Sequence, residues 1–98
     1  QKNPNVSGFL DTLGWVYYKK NLHTAAVEQL RKAVSINEAE ARARNVPASG
    51  AYHYHLGMAL KEAGNKDEAR RELQTAIKLA EQNPFAEVED AKKALATL

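Results

Sequence analysis

The side chains best suited to chemistry in this 98-residue chain are three histidines, His23, His53 and His55. Two histidines on one helix bind the same metal ion when they are four residues apart. His53 and His55 are only two residues apart, so on a helix they point about 200° away from each other. The chain has no cysteine and no His-Glu-x-x-His, phosphate-loop or serine-elbow motif. The sequence therefore predicts no catalytic residues, no metal site and no cofactor, and hence a protein that is not an enzyme.

The charge of the chain gives no sign of nucleic-acid binding. Fourteen Lys and Arg residues stand against twelve Asp and Glu residues, and the two signs alternate instead of forming a basic patch. No apolar run is long enough for a membrane span or a signal-peptide core. These features predict one soluble domain that binds neither nucleic acid nor membrane, and they leave the compartment open between the cytoplasm and the bacterial periplasm.

Two segments of the chain share one spacing of small and apolar residues. In both, a Leu-Gly pair is followed by an alanine twelve residues after the glycine, a leucine four residues later and an alanine three residues after that. These residues are Leu13, Gly14, Ala26, Leu30 and Ala33 in the first segment, and Leu56, Gly57, Ala69, Leu73 and Ala76 in the second. Glycine inside a helix costs about 1 kcal/mol relative to alanine. We therefore expect each segment to be a helical hairpin in which the glycine contacts alanines of the partner helix.

This pattern resembles the tetratricopeptide repeat, written W-x2-L-G-x2-Y, A-x3-F and a closing P over about 34 residues. The large positions differ from the family: Leu10 and His53 replace the tryptophan, and Glu38 and Glu81 replace the proline. The resemblance implies an all-α superhelix of two helical hairpins and a capping helix, with His53 packed in the core. Repeat one would span about residues 7–45, repeat two about 50–83 and the capping helix about 85–98.

The first repeat is longer than the family period. Gly14 and Gly57 are 43 residues apart, which is nine more than the period of about 34. Residues 36–44 are rich in alanine and contain two Glu-Arg pairs at i, i+4 spacing, so we expect the second helix to continue to about Arg44 and to project beyond the hairpin. The turns also carry local signals: a left-handed Asn21, an N-cap at Ser49, and a capping-box variant of Asn65 with Glu68.

The first helices of stacked hairpins line the concave side of a superhelix. Their positions outside the hairpin core are here unusually rich in aromatic residues, which together with methionine dominate protein-binding surfaces. We expect a groove that holds a peptide segment or a helix of a partner protein. The predicted peptide-binding residues are Asp11, Trp15, Tyr18, Lys19, Tyr54, His55, Met58 and Lys61. Packing of Trp15 or Tyr18 between the first helices is the alternative for either ring alone.

A structural role is the second functional hypothesis. The outer side of the first helix carries Phe9, Leu13 and Val16, which would be partly uncovered without a preceding repeat. Such a segment would stack on an upstream repeat or associate weakly with another copy through the N-terminal hairpin. The Asn3-Pro4-Asn5 run resembles the end of a preceding repeat, which favours a piece of a longer array. The Leu-Gly-Trp-Val-Tyr-Tyr-Lys-Lys run is similar to those of bacterial repeat proteins of envelope and exopolysaccharide systems, which favours a bacterial scaffold.

Overall fold

The computed structural model describes residues 5–98, in which the chain forms five α-helices and no strand. They are α1 (Val6–Lys19), α2 (His23–Arg44), α3 (Gly50–Glu62), α4 (Lys66–Ala80) and α5 (Val88–Ala96). Helix α1 packs along α2 and α3 packs along α4, and the short turns make each pair an antiparallel hairpin. Contacts between α2 and α3 join the hairpins, and α5 packs on α4. The predicted all-α fold of two hairpins and a final helix is confirmed.

Most helix ends follow the predicted local signals. Asn21 adopts a left-handed conformation, with φ of 64°, in the turn between α1 and α2. The hydroxyl of Ser49 caps α3 by accepting a hydrogen bond from the Tyr52 N–H at 3.2 Å. Asn45, with φ of 56°, ends α2. Asparagine adopts this left-handed conformation more readily than most residues, because its short polar side chain can form hydrogen bonds with the nearby backbone.

The capping box predicted at the start of α4 is wrong. Asn65 occupies the N-cap position, but its side chain makes no capping hydrogen bond. The reason lies in the preceding turn: Gly64 has φ of 92°, and the Asn65 N–H donates to the Leu60 carbonyl at 2.9 Å. This termination of α3 leaves Asn65 with ψ of 70°, outside the extended conformation typical of a capping residue.

Each motif glycine lies beside a leucine of the partner helix. A Cβ atom built on Gly14 would be 2.5 Å from Leu30 Cγ, and one built on Gly57 would be 2.8 Å from Leu73 Cγ. Both leucines are fully buried. The nearest side chain to each glycine is therefore this leucine and not an alanine, although the Ala69 carbonyl oxygen also lies 3.4 Å from the Cβ built on Gly57. The leucine between the two alanines of each motif fills the space above the glycine, and the alanines let the helices approach.

Helix α2 extends to Arg44 as predicted, but it does not simply project beyond the hairpin. The Ser7 hydroxyl of α1 donates to Glu40 Oε1 at 3.3 Å, and Ala41 is buried. The chain then returns toward α3, and the Ser49 N–H donates to Asn37 Oδ1 at 2.8 Å. The first turn of α1 thus covers part of the extension. The Asn3 and Pro4 positions assigned to a preceding repeat lie outside the described residues.

The final helix begins at Val88 and not at residue 85. Pro84 and Phe85 precede it in a non-helical segment, and the Phe85 carbonyl accepts a hydrogen bond from the Val88 N–H at 3.3 Å. The Phe85 ring lies so close to the start of α3 that a Cβ on Gly50 would be 2.8 Å from Phe85 Cε1. Phe85 therefore packs against the start of α3 and is not part of α5.

His53 is buried, as the resemblance implies, and it joins three helices. Its Nδ1 lies 2.6 Å from Glu72 Oε1 of α4. Its Nε2 lies 3.1 Å from Glu38 Oε2 of α2, although it is not aligned for a hydrogen bond with that oxygen. A histidine therefore replaces a large apolar core residue because a carboxylate is close enough to satisfy its buried Nδ1.

We predict that Gly57→Ala destabilises the domain although alanine is the better helix former. The new methyl group would overpack against Leu73, which costs about 1 to 3 kcal/mol, and helix propensity returns only about 1 kcal/mol. Chemical denaturation measures the difference. Because Leu73→Ala removes the obstructing atoms, the double variant should lose less stability than the two single changes added together. Strict additivity would contradict the contact, and Thr75→Ala on the exposed side of α4 is the control.

Candidate functional site

All eight predicted site residues lie on α1 and α3. We call the surface formed by the exposed and partly exposed ones the α1–α3 surface; it comprises Trp15, Tyr18, Lys19, His55, Met58 and Lys61. The two helices lie side by side because each is the first helix of its hairpin and the hairpins stack. The arrangement thus brings residues far apart in sequence, such as Asp11 and His55, into contact. Which of these side chains remain open decides what this surface can bind.

Trp15 is the centre of an aromatic cluster on this surface. Its indole stacks on the Tyr18 ring at 4.4 Å between centroids with 6° between planes, and on the His55 ring at 4.1 Å with 27°. The Tyr54 ring lies 5.9 Å away, and Lys19 Nζ lies 5.8 Å from the indole centroid. Trp15 and Tyr18 are partly exposed. Trp15 therefore packs between α1 and α3 and still presents part of its surface to solvent.

Tyr54 does not lie on an open face, so that part of the prediction is wrong. It is only 5% exposed and packs with Leu73 and Ala91 in a buried cluster. The Phe85 ring, at 6.0 Å, and the final helix cover it. Burial, with smaller contributions from nearby Asp90 and other charged groups, raises the pKa of Tyr54 to about 12. Tyr54 supports the aromatic cluster from below and is not available as an open contact.

Asp11 and His55 bind each other across the two first helices. Asp11 Oδ1 and Oδ2 lie 2.8 Å and 3.0 Å from His55 Nδ1. Both side chains are largely buried, with 11% and 12% of their surfaces exposed. Asp11 was predicted as a polar contact for the partner, but its carboxylate is already used inside the protein. The pair instead ties the first helix of repeat one to that of repeat two.

Four predicted residues keep open surface around the cluster. Lys19 is exposed, and Tyr18, Met58 and Lys61 are partly exposed. Burial, and then the charge of Glu62, raise the pKa of Tyr18, so its hydroxyl is neutral at physiological pH. The open part of the surface therefore combines aromatic and thioether area with two ammonium groups. This chemistry suits non-covalent binding to another chain.

Sequence reasoning missed the part that Phe85 plays in this site. The predicted capping helix starts at about residue 85 and so includes Phe85. The available signal was the preceding Pro84, since proline has no N–H and favours a chain segment entering a helix. A prediction that started the final helix after this segment would have left Phe85 outside the helix.

The described residues contain neither a metal-binding cluster nor a helix that could cross a membrane. In residues 5–98 no group of three or more His, Asp and Glu side chains is arranged to hold a metal ion. Among the five helices, none is both long and apolar enough to cross a membrane.

Comparisons with known proteins match both hairpins to one family. Two family models described as tetratricopeptide repeat match the chain, one over residues 8–40 and the other over residues 50–83. The matches coincide with the hairpin of α1 and α2 and with that of α3 and α4. No curated protein and no solved structure matches the chain.

The raised pKa of Tyr54 predicts a loss of stability at alkaline pH. Between pH 10 and pH 12 the folded state keeps a proton that the unfolded chain releases, so the free energy of unfolding falls as pH rises through this range. Tyr54→Phe should remove part of this fall while leaving stability at pH 8 close to that of the parent. Denaturation at each pH and tyrosinate absorbance measure both effects. An unchanged alkaline profile in the variant would contradict the burial of the hydroxyl.

Proposed function

Because the chain belongs to the tetratricopeptide repeat family, we propose that it is a non-catalytic module that binds a segment of a partner protein on the α1–α3 surface. Repeats of this family are generally protein–protein interaction modules. We also propose that the two matched hairpins are its two repeats and that α5 caps the second. The single observation that carries the proposed binding surface is the partly exposed stack of Trp15 on Tyr18.

The chemistry of the open residues supports a peptide or helix as the occupant. Binding energy in protein interfaces concentrates in aromatic residues at the centre, surrounded by residues that exclude water. Trp15 and Tyr18 supply such a centre, and Met58 adds a flexible apolar contact beside it. Lys19 and Lys61 stand near the ends of their helices and would bind acceptors on the partner. Asp11 and Tyr54 would act indirectly, by holding His55 and Trp15 in position.

This proposal is tested by the binding of a peptide that has been selected from a display library against the whole chain. Met58→Ala should weaken binding of that peptide by about tenfold, which corresponds to about 1.4 kcal/mol of lost apolar contact. Val46→Ala is the matched control, since it also truncates an exposed apolar side chain but lies in the loop after α2. Circular dichroism confirms that both variants remain folded. Equal affinities for the two variants would contradict the proposed contact with Met58, and failure to recover any peptide would contradict the proposed surface.

The outer side of α1 favours a structural role as the second candidate. Phe9 is 67% exposed, and Val6 and Val16 are each 43% exposed. Their spacing of three and seven residues puts all three on one side of the helix. This neutral stripe would be covered if the domain stacked on an upstream repeat or on a second copy. It lies on another side of α1 from the buried Asp11, so the two proposed roles are compatible.

Sedimentation over a range of concentrations tests this second candidate. The parent should self-associate weakly, and the double variant Phe9→Ser with Val16→Ser should remain monomeric because it removes the apolar stripe. Leu22→Ser, which changes an exposed leucine in the turn before α2, should behave as the parent does. A parent that stays monomeric at every concentration, or a double variant that still associates, would count against stacking between copies.

A further inference from the structure

We propose that His55 is the point at which the α1–α3 surface accepts a hydrogen bond from its partner, and that Asp11 sets the imidazole so that Nε2 is the acceptor. This role rests on the proposed function and names the chemical group that the partner must present there. It also gives the buried Asp11 a purpose, as a positioning residue for the ring of the second repeat.

The proton on His55 is determined by its contact with Asp11. Both carboxylate oxygens lie within 3.0 Å of Nδ1. An ionised carboxylate can only accept hydrogen bonds, so Nδ1 must carry the hydrogen in this contact. A neutral imidazole has one donor and one acceptor nitrogen, and Nε2 is therefore the acceptor. The low exposure of both side chains limits competition from water for this hydrogen bond.

The ring of His55 is held in this orientation, and 12% of its side-chain surface is exposed. Stacking on Trp15 at 4.1 Å opposes a rotation that would exchange the two nitrogens. Across residues 5–98 the buried side-chain nitrogens that lack a hydrogen-bond partner are His23 Nδ1 and His53 Nε2. His55 Nε2 is not among them, and none of the hydrogen bonds formed by described residues uses it. Nε2 therefore has no hydrogen-bond partner among the described residues, on a side chain that is 12% exposed and stacks on the partly exposed indole.

This acceptor selects the chemistry of the partner. An N–H or O–H group, such as a main-chain amide of an extended segment, would donate to Nε2. A carboxylate would meet the lone pair of Nε2 with the charge of Asp11 behind it, so it would be disfavoured. His53 offers no such site, because it is 4% exposed and each of its ring nitrogens lies within 3.1 Å of a carboxylate oxygen of Glu38 or Glu72. The partner segment should thus present a hydrogen-bond donor next to the group that contacts Trp15.

The state of the ring can be measured without any ligand, by long-range proton–nitrogen NMR of the whole chain at pH 8, where histidine is ordinarily neutral. The parent should show His55 with the hydrogen on Nδ1. Asp11→Asn should keep that tautomer, because its amide oxygen still accepts, whereas Asp11→Leu should lose the preference at similar side-chain volume. A hydrogen on Nε2 in the parent, or an Asp11→Leu variant with the parent's tautomer, would overturn the role of Asp11.

Binding of a library-derived peptide tests the role of Nε2 itself. The double variant Asp11→Leu with His55→Phe keeps the stack on Trp15 and removes both polar partners together. It should bind the peptide about two- to tenfold more weakly, the effect of one lost hydrogen bond. Unchanged affinity would overturn the acceptor role while the proposed function stands. If Met58→Ala has no effect on the same peptide but this double variant weakens binding, the proposed Met58 contact fails and the acceptor role stands.

Discussion

The contact between a glycine of the first helix and a leucine of the second sets the geometry of each hairpin. Leu30 and Leu73 fill the spaces that Gly14 and Gly57 leave open, and both leucines are fully buried. Such a contact fixes the distance between the helices and also their register, because a shift of one residue would place a Cβ against the leucine. The exposed positions of α1 and α3 follow from this register. The α1–α3 surface is therefore a consequence of how each hairpin closes.

Two histidine contacts then join the hairpins, and one of them uses positions where the chain departs from the family pattern. His53 stands where the family has tryptophan and Glu38 where it has the closing proline, and the two side chains meet across α2 and α3. Without a proline, α2 can continue through Glu38 to Arg44. His55 forms the corresponding link between α3 and Asp11 of α1. His53, which stands at the tryptophan position, thus lies beside Glu38, which stands at the proline position.

The features that could be predicted from the sequence are those that short-range chemistry decides. The spacing of glycine and alanine predicts the two hairpins. The absence of a helix breaker before Arg44 predicts the long α2, and the hydroxyl of Ser49 predicts the start of α3. The burial of Tyr54 could not be read from its helix, because the ring is covered by Phe85 from a segment 31 residues later. Likewise, the sequence of α1 does not reveal a partner for Asp11, because that partner is His55 of α3, whose Nδ1 lies 2.8 Å from Asp11 Oδ1. Sequence reasoning therefore missed contacts between elements that are distant in the sequence and meet only in the folded chain.

We propose that a partner binds across the first helices, and not on the second helices or on the outer side of α1. The most direct test is an amide NMR map recorded while the library-derived peptide is added to the whole chain. We expect the largest shift changes at Lys19, Met58 and Lys61, with little change at Glu28 and Lys32 of α2. Changes concentrated on α2 and α4, or around the exposed Phe9, would contradict it.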